Sequence, residues 1–588
     1  MSVPITVQAT FAATLVDEWV RAGVRDAVVC PGSRSTPLAL ALAERRELRV
    51  HVRLDERGAA FYAVGCALAA GGPTVVCTTS GTAAAELHAG VVEAHHAGVP
   101  LIVCTADRPP ALHGVGAPQT IDQRGLYSSA VGWSGEPGVP DAAGAAGWRS
   151  FGARSVAEAL SGPRGPGPVH LNLAFADPLV GSAGELPPGR ADGAPWHEVH
   201  PALRAPASED LAASLGRWGS RRGLLVVGAD GGSPEDVYGL AEVLGWPVLA
   251  DPRSGCRLPH GASVAAADAI LRDPAVRAAL EPEVVVLLGA PWASKVLASF
   301  VTESARHGAS VVAVERWGRW SDPDRVVTEH WPADPDAWLR EARRAAVALE
   351  MAPAGDWEAR WRAAEGAAQP AIDTVLAEAS GTEGTLSEPA LARRLLAAVP
   401  VGTVVVASSS MPVRDLEWFT PALAGPPRVL SNRGANGIDG VCSTARGVAT
   451  GGAAVVALVG DLAFLHDASA LLSPLGHRPH NCTLVVVDND GGGIFNFLPQ
   501  AEVLDTGRFE TLFGTRQSAQ VGEVARGFGL SVREAATAGE LDAALDESVA
   551  ERALSVVRVA VPGRRKNVAL HGRIEAAVAE AVWPALGV

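Results

Sequence analysis

The chain has 588 residues, 48% of them hydrophobic and 19% charged, with a formal net charge of −15. That length exceeds one hydrophobic core and suits three or four domains of globular rather than disordered composition. The acidic balance argues against nonspecific nucleic-acid binding, which needs a basic face. No apolar run is long enough to span a bilayer, and the N-terminus lacks a basic stretch followed by an apolar one, so the sequence reads as cytoplasmic.

Up to about residue 190, apolar strand candidates alternate with alanine-rich helical stretches, which predicts a parallel sheet covered by helices. The runs Val28–Cys30, Val75–Cys77 and Ile102–Cys104 lead into the turns Pro31-Gly32-Ser33-Arg34, Thr79-Ser80-Gly81-Thr82 and Thr105-Ala106-Asp107-Arg108. The seven cysteines form no CxxC pair, and Cys30, Cys77 and Cys104 read as buried strand residues in a reducing compartment. Between the first two runs, Leu54-Asp55-Glu56-Arg57-Gly58 opens a helix, and Glu56 taken alone is an ordinary first-turn acid. A Pro/Gly/Ala-rich stretch around 187–195 marks a linker.

A second α/β block is predicted over 205–350, with strands Leu224–Val227, Val284–Leu288 and Val311–Val314 and with Lys295 at a helix start. A third, over 385–588, has strands Val404–Val406, Val455–Val459, Leu484–Val487 and Ser555–Val559. The fold class is therefore α/β, with three open parallel-sheet domains at 1–190, 205–350 and 385–588.

The third block carries the most informative pair of turns. Gly460-Asp461-Leu462 follows one strand and Asn489-Asp490-Gly491 follows the next. Their spacing is about one strand–helix–strand unit, so both should open at one edge of the sheet. A carboxylate, an amide oxygen and an unshielded glycine carbonyl (Asp461, Asn489 and Gly491) form a hard-oxygen set suited to Mg²⁺ beside a diphosphate. Either turn alone is more economically a helix cap or a tight turn; the pair points to thiamine diphosphate. In that chemistry Glu56 gains a role, because a carboxylate on the aminopyrimidine promotes the imino tautomer that removes the thiazolium C2 proton.

Arg34, Arg108, Gln119, Lys295, Arg414 and Arg433 form a polar, mostly cationic set on an acidic protein, which suggests substrates with several carboxylates. Singly, each cation reads as a surface ion pair. His113, His466 and His477 lack hydrolase spacing, and Gly114-Val115-Gly116-Ala117 is an incomplete dinucleotide loop.

The strings PGSRSTPLALA (31–41), DERGAAF (55–61), TSGTAAAEL (79–87), TADRPP (105–110), SNRGANGIDG (431–440), GDLAFLHD (460–467) and DNDGGGIFNFLP (488–499) carry a resemblance across essentially the whole chain. The sequence resembles the thiamine-diphosphate-dependent 2-succinyl-5-enolpyruvyl-6-hydroxy-3-cyclohexene-1-carboxylate synthase family of menaquinone biosynthesis. The resemblance implies pyrimidine-binding, central and diphosphate-binding domains in that order. It also implies a homodimer or dimer of dimers with the active site at the subunit interface, so that Glu56 serves the partner's metal site.

The implied reaction decarboxylates 2-oxoglutarate and adds the resulting succinyl carbanion to isochorismate in a 1,4 sense. Glu56 is implied as the catalytic residue. Ser410, Met411, Ile438, Gly460, Asp461, Leu462, Asn489, Gly491 and Ile494 are implied to hold the cofactor, with Asp461, Asn489 and Gly491 on Mg²⁺ or Mn²⁺. Arg34, Arg108, Gln119, Lys295, Ser410, Arg414 and Arg433 are implied to hold substrate carboxylates, with Ile494, Phe495 and Leu498 as an apolar wall. Pro118 and Val296 depart from the pattern, each where relatives carry a further polar or cationic side chain. An acetolactate-synthase-like carboligase or a 2-keto acid decarboxylase shares the cofactor apparatus but calls for an apolar acyl pocket. A non-catalytic nucleotide-binding protein has no need of Glu56.

Overall fold

The computed structural model describes residues 4–587 apart from 201–204, 219, 291, 383 and 477–479, so His477 lies outside the described residues. Three six-stranded, all-parallel sheets follow one another along the chain. The first holds β1 (Asp26–Val29), β2 (Arg49–Val52), β3 (Thr74–Thr78), β4 (Leu101–Asp107), β5 (Trp133–Gly135) and β6 (Pro168–Ala174). The second holds β7 (Gly223–Val227), β8 (Val248–Ala250), β9 (Ser263–Val264), β10 (Val284–Leu288), β11 (Ser310–Glu315) and β12 (Glu329–Pro332). The third holds β13 (Val404–Ala407), β14 (Arg428–Ser431), β15 (Val455–Gly460), β16 (Cys482–Asp488), β17 (Ser531–Ala535) and β18 (Leu554–Ala560). Strands such as β3 and β4 are buried at every residue, as continuous apolar runs covered on both faces must be. All seven cysteines are buried and unpaired, Cys30, Cys77 and Cys104 among them.

The outer sheets share one topology, β2-β1-β3-β4-β6-β5 and β14-β13-β15-β16-β18-β17. In each, the chain leaves the two innermost early strands toward opposite edges, which opens a crevice at their C-terminal ends between β1 and β3 and between β13 and β15. The central sheet runs β9-β8-β7-β10-β11-β12, the order of dinucleotide-binding folds. Its equivalent crevice, between β7 and β10, is filled by backbone. A Cβ on Gly228 would lie 1.6 Å from the Ala290 carbonyl oxygen, and the Ala290 N–H donates to the Ala229 carbonyl at 2.8 Å.

The outer blocks meet through two helices. Glu56–Ala70 begins with Asp55, whose carboxylate accepts the Arg57 N–H at 3.0 Å, and ends at Gly71 in the left-handed region. It packs on Val441–Val448 with the two backbones almost touching. A Cβ at Gly65 would fall 2.1 Å from the Thr444 carbonyl oxygen, and one at Gly447 would fall 2.1 Å from that of Tyr62. Alanine at either position would push the helices apart.

Candidate active site

β15 and β16 pair in parallel with Gly460 opposite Val487, so the turns bearing Asp461 and Asn489 leave the same sheet edge. Asp461 starts the helix Asp461–His466; its Oδ1 accepts the Leu462 N–H and its Oδ2 the Gly491 N–H, both at 2.7 Å. The two turns are thus tied directly. Gly491 has φ 122°, and a Cβ there would lie 2.1 Å from the Gly514 carbonyl oxygen, so glycine is required.

Asn489 is 8% exposed. Its Nδ2 donates to Glu388 Oε1 at 2.9 Å, whereas Oδ1 is buried and finds no partner among the described residues. An unsatisfied buried acceptor next to a buried carboxylate calls for a positive group. Burial pushes Asp461 up to about 6 and Glu388 up to about 7, and among the described residues no ion pair with an arginine, lysine or histidine joins either carboxylate. A divalent cation with oxygen ligands fits that deficit.

The crevice between β13 and β15 brings the segment after β13 toward Asp461. Ser410 precedes the helix Met411–Phe419 and makes no side-chain cap, so its hydroxyl is not spent on the helix; Met411 is buried. Arg414, on the first turn, donates Nη1 back to the Ser409 and Ser410 carbonyls at 2.8 and 2.7 Å. Gly460 and Leu462 flank Asp461 and are half-buried, as are Ile494, Phe495 and Leu498 in and after the short helix Gly493–Phe497. The Phe495 ring packs against Phe513 with centroids 5.5 Å apart.

Arg433 and Ile438 lie in the loop after β14. That loop is held from the first block by Glu93, whose carboxylate accepts the N–H groups of Gly434, Ala435 and Asn436 at 2.9, 2.6 and 2.8 Å. Burial lowers the Arg433 pKa, and the nearby Arg253 and Arg414 lower it further. Its Nε is buried and finds no partner among the described residues. Such a cation is poised to take an anion.

A second cationic group sits at the β1/β3 crevice. Arg108 lies beside Arg34, which, after burial, is the next cause lowering its pKa. Arg108 Nη1 donates to Ser80 Oγ, and Ser80 Oγ donates to the Gln119 carbonyl at 2.9 Å, while Gln119 Nε2 donates to the Ser80 carbonyl at 3.1 Å. Arg34 Nη1 donates to the Phe175 carbonyl at 2.9 Å, while Nε is buried and finds no partner among the described residues. Underneath, Asp107, Gln123 and Asn172 form a buried network. Asn172 donates to Asp107 and Gln123 donates to Asn172, both at 2.9 Å, and Gln123 accepts the Gly81 N–H at 2.9 Å. Arg34, Arg108 and Gln119 are therefore one cluster.

Arg414 and Arg433 form the other. Lys295 is exposed at the start of the helix Lys295–Arg306, and among the described residues no hydrogen bond ties its side chain to either group. Glu56 is half-buried, and burial, then Asp55 and Glu86, raises its pKa. Among the described residues no hydrogen bond joins Glu56 to Asp461, Asn489 or Gly491. Sequence reading passed over Glu93, Arg253 and Glu388, and took Ser80 only as part of a strand-ending turn. A first-turn glutamate such as Glu388 carries no signal of its partner 101 positions away.

The chain matches the family model of the thiamine pyrophosphate enzyme N-terminal TPP binding domain over residues 9–126. It matches the middle domain of thiamine pyrophosphate enzymes over 190–404 and their C-terminal TPP binding domain over 418–559. A solved structure of benzoylformate decarboxylase from Polynucleobacter necessarius superposes with a TM-score of 0.70 at 18% identity, covering 94% of this chain and 98% of that one, a likeness of fold. Fold and domain set define a thiamine-diphosphate-dependent enzyme. A curated 2-succinyl-5-enolpyruvyl-6-hydroxy-3-cyclohexene-1-carboxylate synthase from Thermobifida fusca is 42% identical over 551 residues, 91% of this chain and 93% of its own. Synthases of the same name from Myxococcus xanthus and Chloroflexus aurantiacus are 38% and 42% identical; the first covers 98% of both chains, the second 84% of this chain and 83% of its own. The chain belongs to this synthase family.

Proposed function

We propose that this enzyme decarboxylates 2-oxoglutarate and adds the succinyl unit to isochorismate in a 1,4 sense, giving 2-succinyl-5-enolpyruvyl-6-hydroxy-3-cyclohexene-1-carboxylate and CO₂ for menaquinone biosynthesis. The observation that carries the reading is the orphaned Asn489 Oδ1 beside Asp461 at a sheet edge, in a chain 42% identical to synthases of that name. When bound, thiamine diphosphate supplies the electron sink for decarboxylation. Asp461, the Asn489 side chain and the Gly491 carbonyl would hold Mg²⁺ or Mn²⁺ and with it the diphosphate.

Residues 1–190 would then act as pyrimidine-binding domain, 205–350 as central domain and 385–588 as diphosphate-binding domain. Glu56 holds a proton at the aminopyrimidine, a role that its raised pKa suits. Gly460, Leu462, Met411, Ile438 and Ser410 pack around the cofactor. The two cationic groups, Arg34–Arg108–Gln119 and Arg414–Arg433, with Lys295 and Ser410, orient the substrate carboxylates. Ile494, Phe495 and Leu498 exclude water from the reacting carbon.

Membership of the synthase family favours a homodimer or dimer of dimers in which Glu56 of the partner subunit completes each site. Seven unpaired buried cysteines favour the cytoplasm. No helix of the described residues is long and apolar enough to cross a membrane. The test is CO₂ release with thiamine diphosphate and Mg²⁺ from 2-oxoglutarate against pyruvate. The reading requires a strong preference for 2-oxoglutarate; equal or better use of pyruvate overturns it.

A further inference from the structure

The Asn489 side chain can serve a cation only through its oxygen, yet an amide presents either end with almost equal ease. What fixes the choice is the partner at the other end. Here that partner is Glu388, 5% exposed at the first position of the helix Glu388–Ala398. Its Oε1 accepts from Asn489 Nδ2 at 2.9 Å in a buried pair. Glycine completes the seat: a Cβ on Gly493 would lie 2.7 Å from Asn489 Nδ2. The amide nitrogen is therefore held against Glu388 and Gly493, and the free oxygen is the end left for a ligand. Helix Glu388–Ala398 does not need Glu388 for its cap, because Ser387 Oγ already accepts the Ala390 N–H. The side chain is free to serve position 489 instead.

We propose that Glu388 is a positioning residue for the cation site: its Oε1 locks the Asn489 amide with Oδ1 toward the divalent ion. This rests on the reading of Asp461 and Asn489 as ion ligands. Partners that orient a metal-ligating side chain typically account for about 10–100-fold in metal affinity. The needed property is an acceptor oxygen rather than a charge, so glutamine should replace glutamate and methionine, of similar size but without an acceptor, should not.

The test is Mn²⁺ binding to the full chain with saturating thiamine diphosphate, read from the free-Mn²⁺ EPR signal, with thermal melting of the cofactor-free protein as the control. Glu388→Gln should bind within about threefold of the parent and Glu388→Met about 10–100-fold more weakly. A folded Glu388→Met protein with parental affinity overturns the proposal. Should Glu388→Met fail to fold, the swapped pair decides. Asn489→Asp alone sets two carboxylates together, whereas Glu388→Gln with Asn489→Asp restores a donor–acceptor pair and an oxygen toward the ion. The double variant should bind Mn²⁺ about tenfold more tightly than Asn489→Asp; equal affinity overturns the proposal. Absence of Mn²⁺ uptake by the parent protein would overturn the ion-site reading itself, a result distinguishable from failure of Glu388 alone.

Discussion

Arg257 and Glu417 brace the central and third blocks in opposite directions. The Arg257 guanidinium donates to the Glu417 carbonyl at 2.9 Å, to the Leu416 carbonyl at 3.2 Å, and to the Thr420 carbonyl and hydroxyl at 2.9 and 3.0 Å, which satisfies the C-terminal end of the helix Met411–Phe419. The Glu417 carboxylate accepts the N–H groups of Ala293 and Ser294 at 2.7 and 3.1 Å, just before the helix Lys295–Arg306. Each block thus caps a helix of the other, and Arg414 and Lys295, two of the residues proposed to bind substrate, ride on the capped helices.

Removing that brace should cost stability before it costs chemistry. Arg257→Met removes the guanidinium from five buried acceptors, those four oxygens and the Ala250 carbonyl, and we expect a loss of about 3 kcal/mol, seen as a lower urea midpoint. A midpoint unchanged from the parent would show that water or neighbouring groups take over the capping.

Glu56→Gln keeps the shape of the helix start but removes the carboxylate. Cofactor binding should persist with little change, while exchange of the cofactor C2 proton with deuterated solvent slows by about 100-fold or more. Normal exchange in this variant would assign the proton transfer to another group.

The two cationic groups should separate kinetically. Arg433→Ala removes a half-buried guanidinium whose Nε has no partner among the described residues, so it should lower kcat/KM by about 10–100-fold and leave cofactor affinity alone. Arg34→Ala should act similarly from the first block. Comparing the KM values for the two substrates in these variants shows which carboxylate each group holds. A fall in cofactor affinity in either would move that residue to the cofactor side.

Acid should loosen the N-terminal helix Val7–Arg21. Burial alone raises the Asp17 pKa, but hydrogen bonds from Arg149, Arg45 and Arg21 outweigh it and bring the carboxyl to about 2 from 3.8. A depressed carboxylate contributes stability that is present above the unfolded value of 3.8 and is lost as pH falls through about 2. The contribution is about 2 kcal/mol. Asp17→Asn should melt earlier than the parent at pH 7, with the gap closing toward pH 2; a gap independent of pH would contradict the linkage.

The long apolar strands and the turns that end them were legible in the sequence, because a buried parallel strand is a continuous run of Val, Ile and Leu. β15, β16 and the Asp461–Asn489 pair stand out for that reason. The edge strands β2 and β12 read Arg-Val-His-Val and Glu-His-Trp-Pro, too short and polar to announce themselves. The grouping of Arg34 with Arg108 and Gln119 rests on Ser80 and a buried amide network, which no local pattern encodes. Glu93 and Glu388 were equally silent: a helix glutamate looks solvated until the backbone it serves is folded against it.

The measurement that bears most directly on the account is isochorismate consumption by the purified protein with thiamine diphosphate, Mg²⁺ and 2-oxoglutarate, each omitted in turn, with CO₂ followed in parallel. We expect isochorismate to disappear in step with CO₂ release only when every component is present. CO₂ release with isochorismate untouched would contradict the carboligation proposed here.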